Sequence, residues 1–143
     1  IATGEVITLT DVNDPVFSQK MMGDGFAVIP ATGEVTAPLS GKIVSVFPTK
    51  HAIGMQTAEG AEVLIHMGLD TVQMSQPAFE ILVSEGQEVV AGTTIAQMNL
   101  DAIKNEGKET TIIVVFTDDK VNGLTINKLG DTERGTVIGK INL

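Results

Sequence analysis

The sequence has no cysteine, tryptophan or tyrosine, and only two histidines, His51 and His66, in 143 residues. Without cysteine there is no disulfide framework, no thiol nucleophile and no zinc site built on thiolates. Positive charge is scarce too: 9 Lys and Arg face 18 Asp and Glu, for a formal charge of −9. Nucleic acid and anionic membrane surfaces are held by Lys and Arg neutralising phosphate, so neither is an expected partner. A basic protein is the better electrostatic match. No apolar run approaches the roughly 20 residues that a membrane helix needs, and the longest, Ile112 to Phe116, is strand-sized. The chain is not expected to insert in a membrane.

A hydrophobic share of 43% against 19% charged residues indicates a folded chain rather than a disordered acidic tail. The length fits one domain, residues 1–143. Ile1 in place of an initiator Met is consistent with a domain excised from a longer polypeptide. Short apolar runs broken by Gly, Pro, Asp and Asn, such as Gly41 to Phe47 and Glu62 to Met67, have the rhythm of an all-β sandwich or barrel. Helical spacing is brief, around Pro77 to Val83 and at Leu100 to Asn105, so two or three short helices are the most expected. The segment Ala2-Thr3-Gly4-Glu5-Val6 returns as Ala31-Thr32-Gly33-Glu34-Val35, and Glu85 to Ile95 is echoed by Asp131 to Ile141. Duplication and convergent turn chemistry both account for these echoes.

The two histidines are the main candidates for a nucleophile or proton carrier near neutral pH. Phe47 to Thr57 and Glu62 to Met67 read as two strands of a hairpin. A loop with an even number of residues sets Thr57 opposite Glu62, Met55 opposite Leu64 and Ile53 opposite His66. His51 then shares a face with Ile53 and becomes a diagonal neighbour of His66, roughly 7–8 Å away at the backbone. An odd loop, or a bulge at Gly54, moves the two to opposite faces. Thr49 lies two residues before His51, where its hydroxyl is placed to bond an imidazole nitrogen and fix the tautomer. Gly68 and Asp70 close the strand that bears His66. The plainer reading is that both histidines are half-buried strand residues and that Gly68 and Asp70 merely end a strand.

At these residues the chain closely resembles the glucose-family enzyme IIA domains of the bacterial phosphoenolpyruvate-dependent sugar phosphotransferase system. The segments carrying the likeness are Asp14-Pro15-Val16-Phe17-Ser18, Met22-Gly23-Asp24-Gly25-Phe26-Ala27, Ala37-Pro38-Leu39-Ser40-Gly41, Phe47-Pro48-Thr49-Lys50-His51-Ala52 and Val63 through Val72, with the Glu85-Gly86-Gln87 turn extending it. After Val72 the pattern departs: the family usually has glycines where this chain has Gln73 to Ala78. The tail from Asp118 to Leu143 matches only loosely.

The resemblance implies a compact antiparallel β-sandwich and a phosphotransferase component. It implies that His66 is phosphorylated on its ring by the phosphohistidine carrier protein HPr, and that the group then passes to a cysteine of a IIB domain. His51 corresponds to the family's second histidine, which assists onward transfer, and Thr49 to the threonine bonded to it. Val16, Phe17, Met21, Met22, Phe47 and Val72 correspond to a shallow apolar docking surface, and Asp70 to a carboxylate on its rim facing basic partners. Phosphoryl transfer needs positioning and charge stabilisation, which a second imidazole supplies, so neither metal nor cofactor is required. The implied location is cytoplasmic, free or tethered through a fused permease. The sugar, the oligomeric state and any regulatory partner lie outside what these residues specify.

Two other chemistries fit parts of the chain. Glu85-Gly86-Gln87-Glu88-Val89 with Gly92 and Ile95 looks like the turns of lipoyl- or biotinyl-like carrier domains. Such a carrier needs a modifiable lysine at a hairpin tip, and Lys42, Lys50 and Lys104 fall in strands or a helix. A metallohydrolase using His51, His66 and Asp70 reaches the usual ligand count of three. Its spacing matches no short metal motif.

Overall fold

The computed structural model describes residues 4–8, 24–46, 52–57, 60, 62–69, 79–105, 107, 109–116, 123–126, 130–132 and 139–142. Strands dominate: β1 (Gly4–Thr8), β2 (Asp24–Pro30), β3 (Glu34–Thr36), β4 (Gly41–Val46), β5 (Ala52–Gln56), β6 (Glu62–Leu69), β7 (Phe79–Ile81), β8 (Glu88–Val89), β9 (Thr94–Met98), β10 (Glu109–Phe116), β11 (Gly123–Ile126), β12 (Gly130–Thr132) and β13 (Gly139–Asn142). One helix, α1 (Leu100–Asn105), lies among the described residues.

The strands form an eight-stranded sheet in the order β12-β1-β2-β10-β6-β5-β4-β8, a three-stranded sheet β3-β9-β7 and a pair β11-β13. All ladders among them are antiparallel. Val6, Phe26, Val28, Ile43, Ile53, Met55, Ile65, Met67, Ile112 and Val114 from the large sheet share one buried cluster with Val35, Ile95, Ala96 and Met98 from the small one. Two sheets facing across a common core make the expected β-sandwich. Period-two alternation explains which residues enter it: Ile53 and Met55 point inward and Gly54 outward, and β6 does likewise with Val63, Ile65 and Met67.

β10 breaks that alternation for a reason. Ile112, Val114 and Phe116 belong to the main core, while Ile113 and Val115 join a second buried cluster with Ala27 on the opposite face, packed by Ile7 and Leu64. A strand covered on both faces has no polar side, hence its unbroken apolar run.

Helix α1 forms where the sequence predicts it. The side chain of Asn99 accepts a hydrogen bond from the Ala102 amide at 3.0 Å, which caps the first turn. The expected helix around Pro77 to Val83 is corrected: Phe79–Ile81 is a strand paired with β9, Phe79 opposite Met98 and Ile81 opposite Ala96. Phe79 and Ile81 pack on the core while Glu80 is exposed, a period of two rather than 3.6. Pro77 and Ala78 lie outside the described residues.

Candidate functional site

His66 occupies the middle of β6, which is itself an interior strand of the large sheet. Its ladder partners are Ala52 on β5 and Ile113 on β10. Ile113 in turn faces Ala27 on β2, and Ala27 faces Ile7 on β1. Residues directly opposite in a ladder share a face. One transverse row therefore reads Ala52, His66, Ile113, Ala27, Ile7, and the histidine is its only polar member. The neighbouring row reads Gly54, Leu64, Val115, Gly25. This face is the one turned away from the main core, where the second buried cluster lies.

The histidine is half-buried, and its Nδ1 exposes less than 1 Å². Two residues on, Gly68 adopts φ +81°. Left-handed backbone is readily open only to glycine, and here it falls within β6, which continues to Leu69 opposite Glu109 past an irregularity in the β6–β10 register.

The structure corrects the hairpin arithmetic. Gln56 faces Glu62, Met55 faces Val63, Gly54 faces Leu64, Ile53 faces Ile65 and Ala52 faces His66. The connection holds five positions, 57 to 61, an odd number, and is closed by a hydrogen bond from the Gly60 amide to the Thr57 carbonyl at 2.9 Å, with Gly60 at φ +92°. Every partner is thus shifted by one from the even-loop reading, and Ile53 belongs to the core face instead. The shared face of His51 and His66 cannot be derived from hairpin parity.

The bulge that the sequence allowed at Gly54 does not occur in the β5–β6 ladder, where Gly54 pairs regularly with Leu64; the irregularity lies on the neighbouring strand β4. The β4–β5 register slips between Ile43 and Ser45, so Val44 is the extra residue, and a Cβ on Gly54 would run into the Ser45 hydroxyl. His51, Thr49, Phe47, Val16, Phe17, Met21, Met22, Asp70 and Val72 lie outside the described residues. Sequence reasoning missed Ala52, Ile113 and Val115 as neighbours of the histidine. The apolar run Ile112 to Phe116 was their available signal, since a strand buried on both faces has to have something covering each.

Among the described residues no group of three or more His, Cys, Asp or Glu is arranged to hold a metal ion, and no helix is long and apolar enough to cross a membrane. Lys42 lies within β4 and Lys104 within α1, so neither stands at a hairpin tip as a lipoyl or biotinyl carrier requires. Two surface grooves of about 650 and 630 Å³ are lined without His66.

The family described as phosphoenolpyruvate-dependent sugar phosphotransferase system, EIIA 1, matches residues 1–121. The chain is 48% identical over 144 aligned positions to the PTS system glucose-specific EIICBA component of Streptococcus pneumoniae, covering all of this chain and 20% of that one. It is 47% identical over 116 positions to the PTS system glucose-specific EIIA component of Staphylococcus aureus, covering 81% of this chain and 70% of that one. Among solved structures, the glucose permease IIA from Mycoplasma capricolum superposes with a TM-score of 0.90 at 40% identity, covering 96% of this chain and 90% of the other. The chain thus spans about a fifth of the EIICBA polypeptide and most of the separate EIIA component.

Proposed function

Since the chain belongs to the EIIA 1 family of the phosphoenolpyruvate-dependent sugar phosphotransferase system, we propose that His66 carries a phosphoryl group from HPr to a IIB domain. The single observation that supports this most directly is the environment of the ring. His66 is the one polar side chain in its row, half-buried among apolar neighbours, with Nδ1 enclosed.

In this reading Nε2 is the nitrogen that reacts. With its proton on Nδ1, the neutral imidazole presents the Nε2 lone pair to the phosphorus of the donor phosphohistidine. A new N–P bond forms as the donor's N–P bond breaks. In the second half-reaction a IIB cysteine thiolate attacks, a P–S bond forms and Nε2 recovers its lone pair. Charge on the transferring oxygens is best met by a positioned donor in a water-poor site. His51 fills that role in this reading, oriented by Thr49.

Val16, Phe17, Met21, Met22, Phe47 and Val72 would form the apolar docking surface, with Asp70 at its rim steering basic partners. Methionine suits a surface that accepts two differently shaped proteins in turn. Sugar choice belongs to the membrane partner, because this domain handles only the phosphoryl group. The domain would work free or joined to IIB and IIC, as in the streptococcal relative whose chain it matches over a fifth of its length.

The test is incubation with phosphorylated HPr, followed by chase with IIB. His66→Ala abolishes labelling, while His51→Ala accepts the group but does not pass it on. Undiminished labelling of His66→Ala would overturn the assignment.

A further inference from the structure

The two sides of His66 are unequal. Toward β10 stand Ile113, its ladder partner, and Val115, both wholly buried and β-branched. Their side chains are stiff at χ1 and fill the pleat. Toward β5 stand Ala52, its other ladder partner, with a single methyl, and Gly54, the diagonal neighbour, with no side chain. On the histidine's own strand the i+2 neighbour is again a glycine, Gly68. Among the described residues, the ladder partners therefore wall the ring with Ile113 and Val115 on one flank and set only Ala52 and Gly54 on the other.

From this we infer that Ala52 is a positioning residue for phosphoryl transfer: its small side chain sets the lateral position of the His66 ring. The inference rests on the reading of His66 as the phosphoryl acceptor. Directly opposite residues in an antiparallel ladder have Cβ atoms about 4.5–5.5 Å apart, so a larger residue at 52 reaches the imidazole. Ala52 is only 1% exposed. Added methyls have no path into solvent, and Ile53 beside it already occupies the core face. They press instead on the partner across the ladder. The ring, with the rigid Ile113 behind it, then tilts about its χ angles and carries Nε2 off the line of attack. Displacement of a reacting atom by about 1 Å costs up to a hundredfold in rate.

The experiment is a size series at position 52 in the full chain, with steady-state phosphorylation by phosphorylated HPr and ¹⁵N spectra of the His66 imidazole. Ala52→Ser is expected to lower kcat by a few fold and Ala52→Val by between ten- and a hundredfold, both with KM for HPr within about twofold of the native value. The ¹⁵N signals of His66 shift in the same order. Ala96→Val overpacks the main core on the other sheet, where the native alanine is equally enclosed. It lowers thermal stability without moving kcat or the imidazole signals, which separates positioning from general loosening. Native kcat in Ala52→Val, or an equal loss of kcat in Ala96→Val, overturns the inference. If Ala52→Val does not fold, Ala52→Ser carries the test, and unchanged kcat and imidazole signals there are equally fatal to it. Failure of the underlying reading looks different: His66→Ala would still be labelled, whatever position 52 does.

Discussion

Ala52 and His66 stand directly opposite each other on adjacent antiparallel strands, because the connection between β5 and β6 holds an odd number of residues. That pairing makes the first prediction. A Gln56→Cys, Glu62→Cys double variant, placed at ladder partners in a chain without native cysteine, closes a disulfide on mild oxidation. Thr57→Cys with Glu62→Cys, the pair that an even loop would align, stays reduced because the two Cβ vectors leave opposite faces. Thiol titration and intact mass distinguish the two, and bridging of the second pair in preference to the first would refute the register.

Thr36 is 1% exposed, and its hydroxyl has no hydrogen-bond partner among the described residues. A buried unpaired hydroxyl costs on the order of 1–3 kcal/mol of desolvation, which a methyl of the same shape avoids. Thr36→Val should therefore stabilise the fold by about 1 kcal/mol, raising Tm by roughly 3–4 °C. A fall in Tm by calorimetry would reveal a partner for that hydroxyl.

The Ser45 hydroxyl fills the space where a Cβ on Gly54 would go, while the next nearest atoms are at ordinary contact, 3.6 and 3.7 Å. Gly54→Ala should cost about 1–3 kcal/mol alone and much less in a Ser45→Ala background. A Cβ on Gly25 would instead strike the backbone of Val114, which cannot rotate away. Gly25→Ala is expected to be the more damaging, and no side-chain change should rescue it. Denaturant melts of the two singles and the double give the coupling. Additive losses at 45 and 54 would contradict the contact.

Asn99 caps α1 through the Ala102 amide. Removing that acceptor with Asn99→Ala should destabilise the domain by about 1 kcal/mol, whereas Asn99→Asp should keep most of the stability. Equal melting temperatures for the native chain and the alanine variant would show the cap to be dispensable.

With a formal charge of −9, the domain should meet a basic carrier by electrostatic steering. The association rate with HPr is expected to fall at least tenfold between low and physiological salt, with a smaller change in dissociation. A salt-independent association rate, measured by stopped flow, would remove charge from the docking step.

How much of this was legible in the residues differs from feature to feature. The strands announced themselves because a half-buried strand needs alternating side chains. The helix at Leu100 to Asn105 was legible as a brief run of helical spacing, and the structure adds the Asn99 cap that starts it. The two histidines stood out because so little else in the chain can act as a nucleophile near neutral pH, and only the family resemblance singled out His66. Phe79 to Ile81 misled, since three residues are too few to tell a period of two from 3.6 and tertiary pairing with β9 decided the matter.

By itself, then, the sequence determined the family, the all-β class and the pair of histidines as candidates, because composition, local periodicity and short motifs are properties of neighbouring residues. Only the tertiary structure decided which face His66 occupies and what flanks it there. One residue in a connection inverts the parity of a whole strand, and the pairing of β6 with β10 joins residues forty or more positions apart. No local pattern specifies that Ala52 borders His66 on one side and Ile113 on the other.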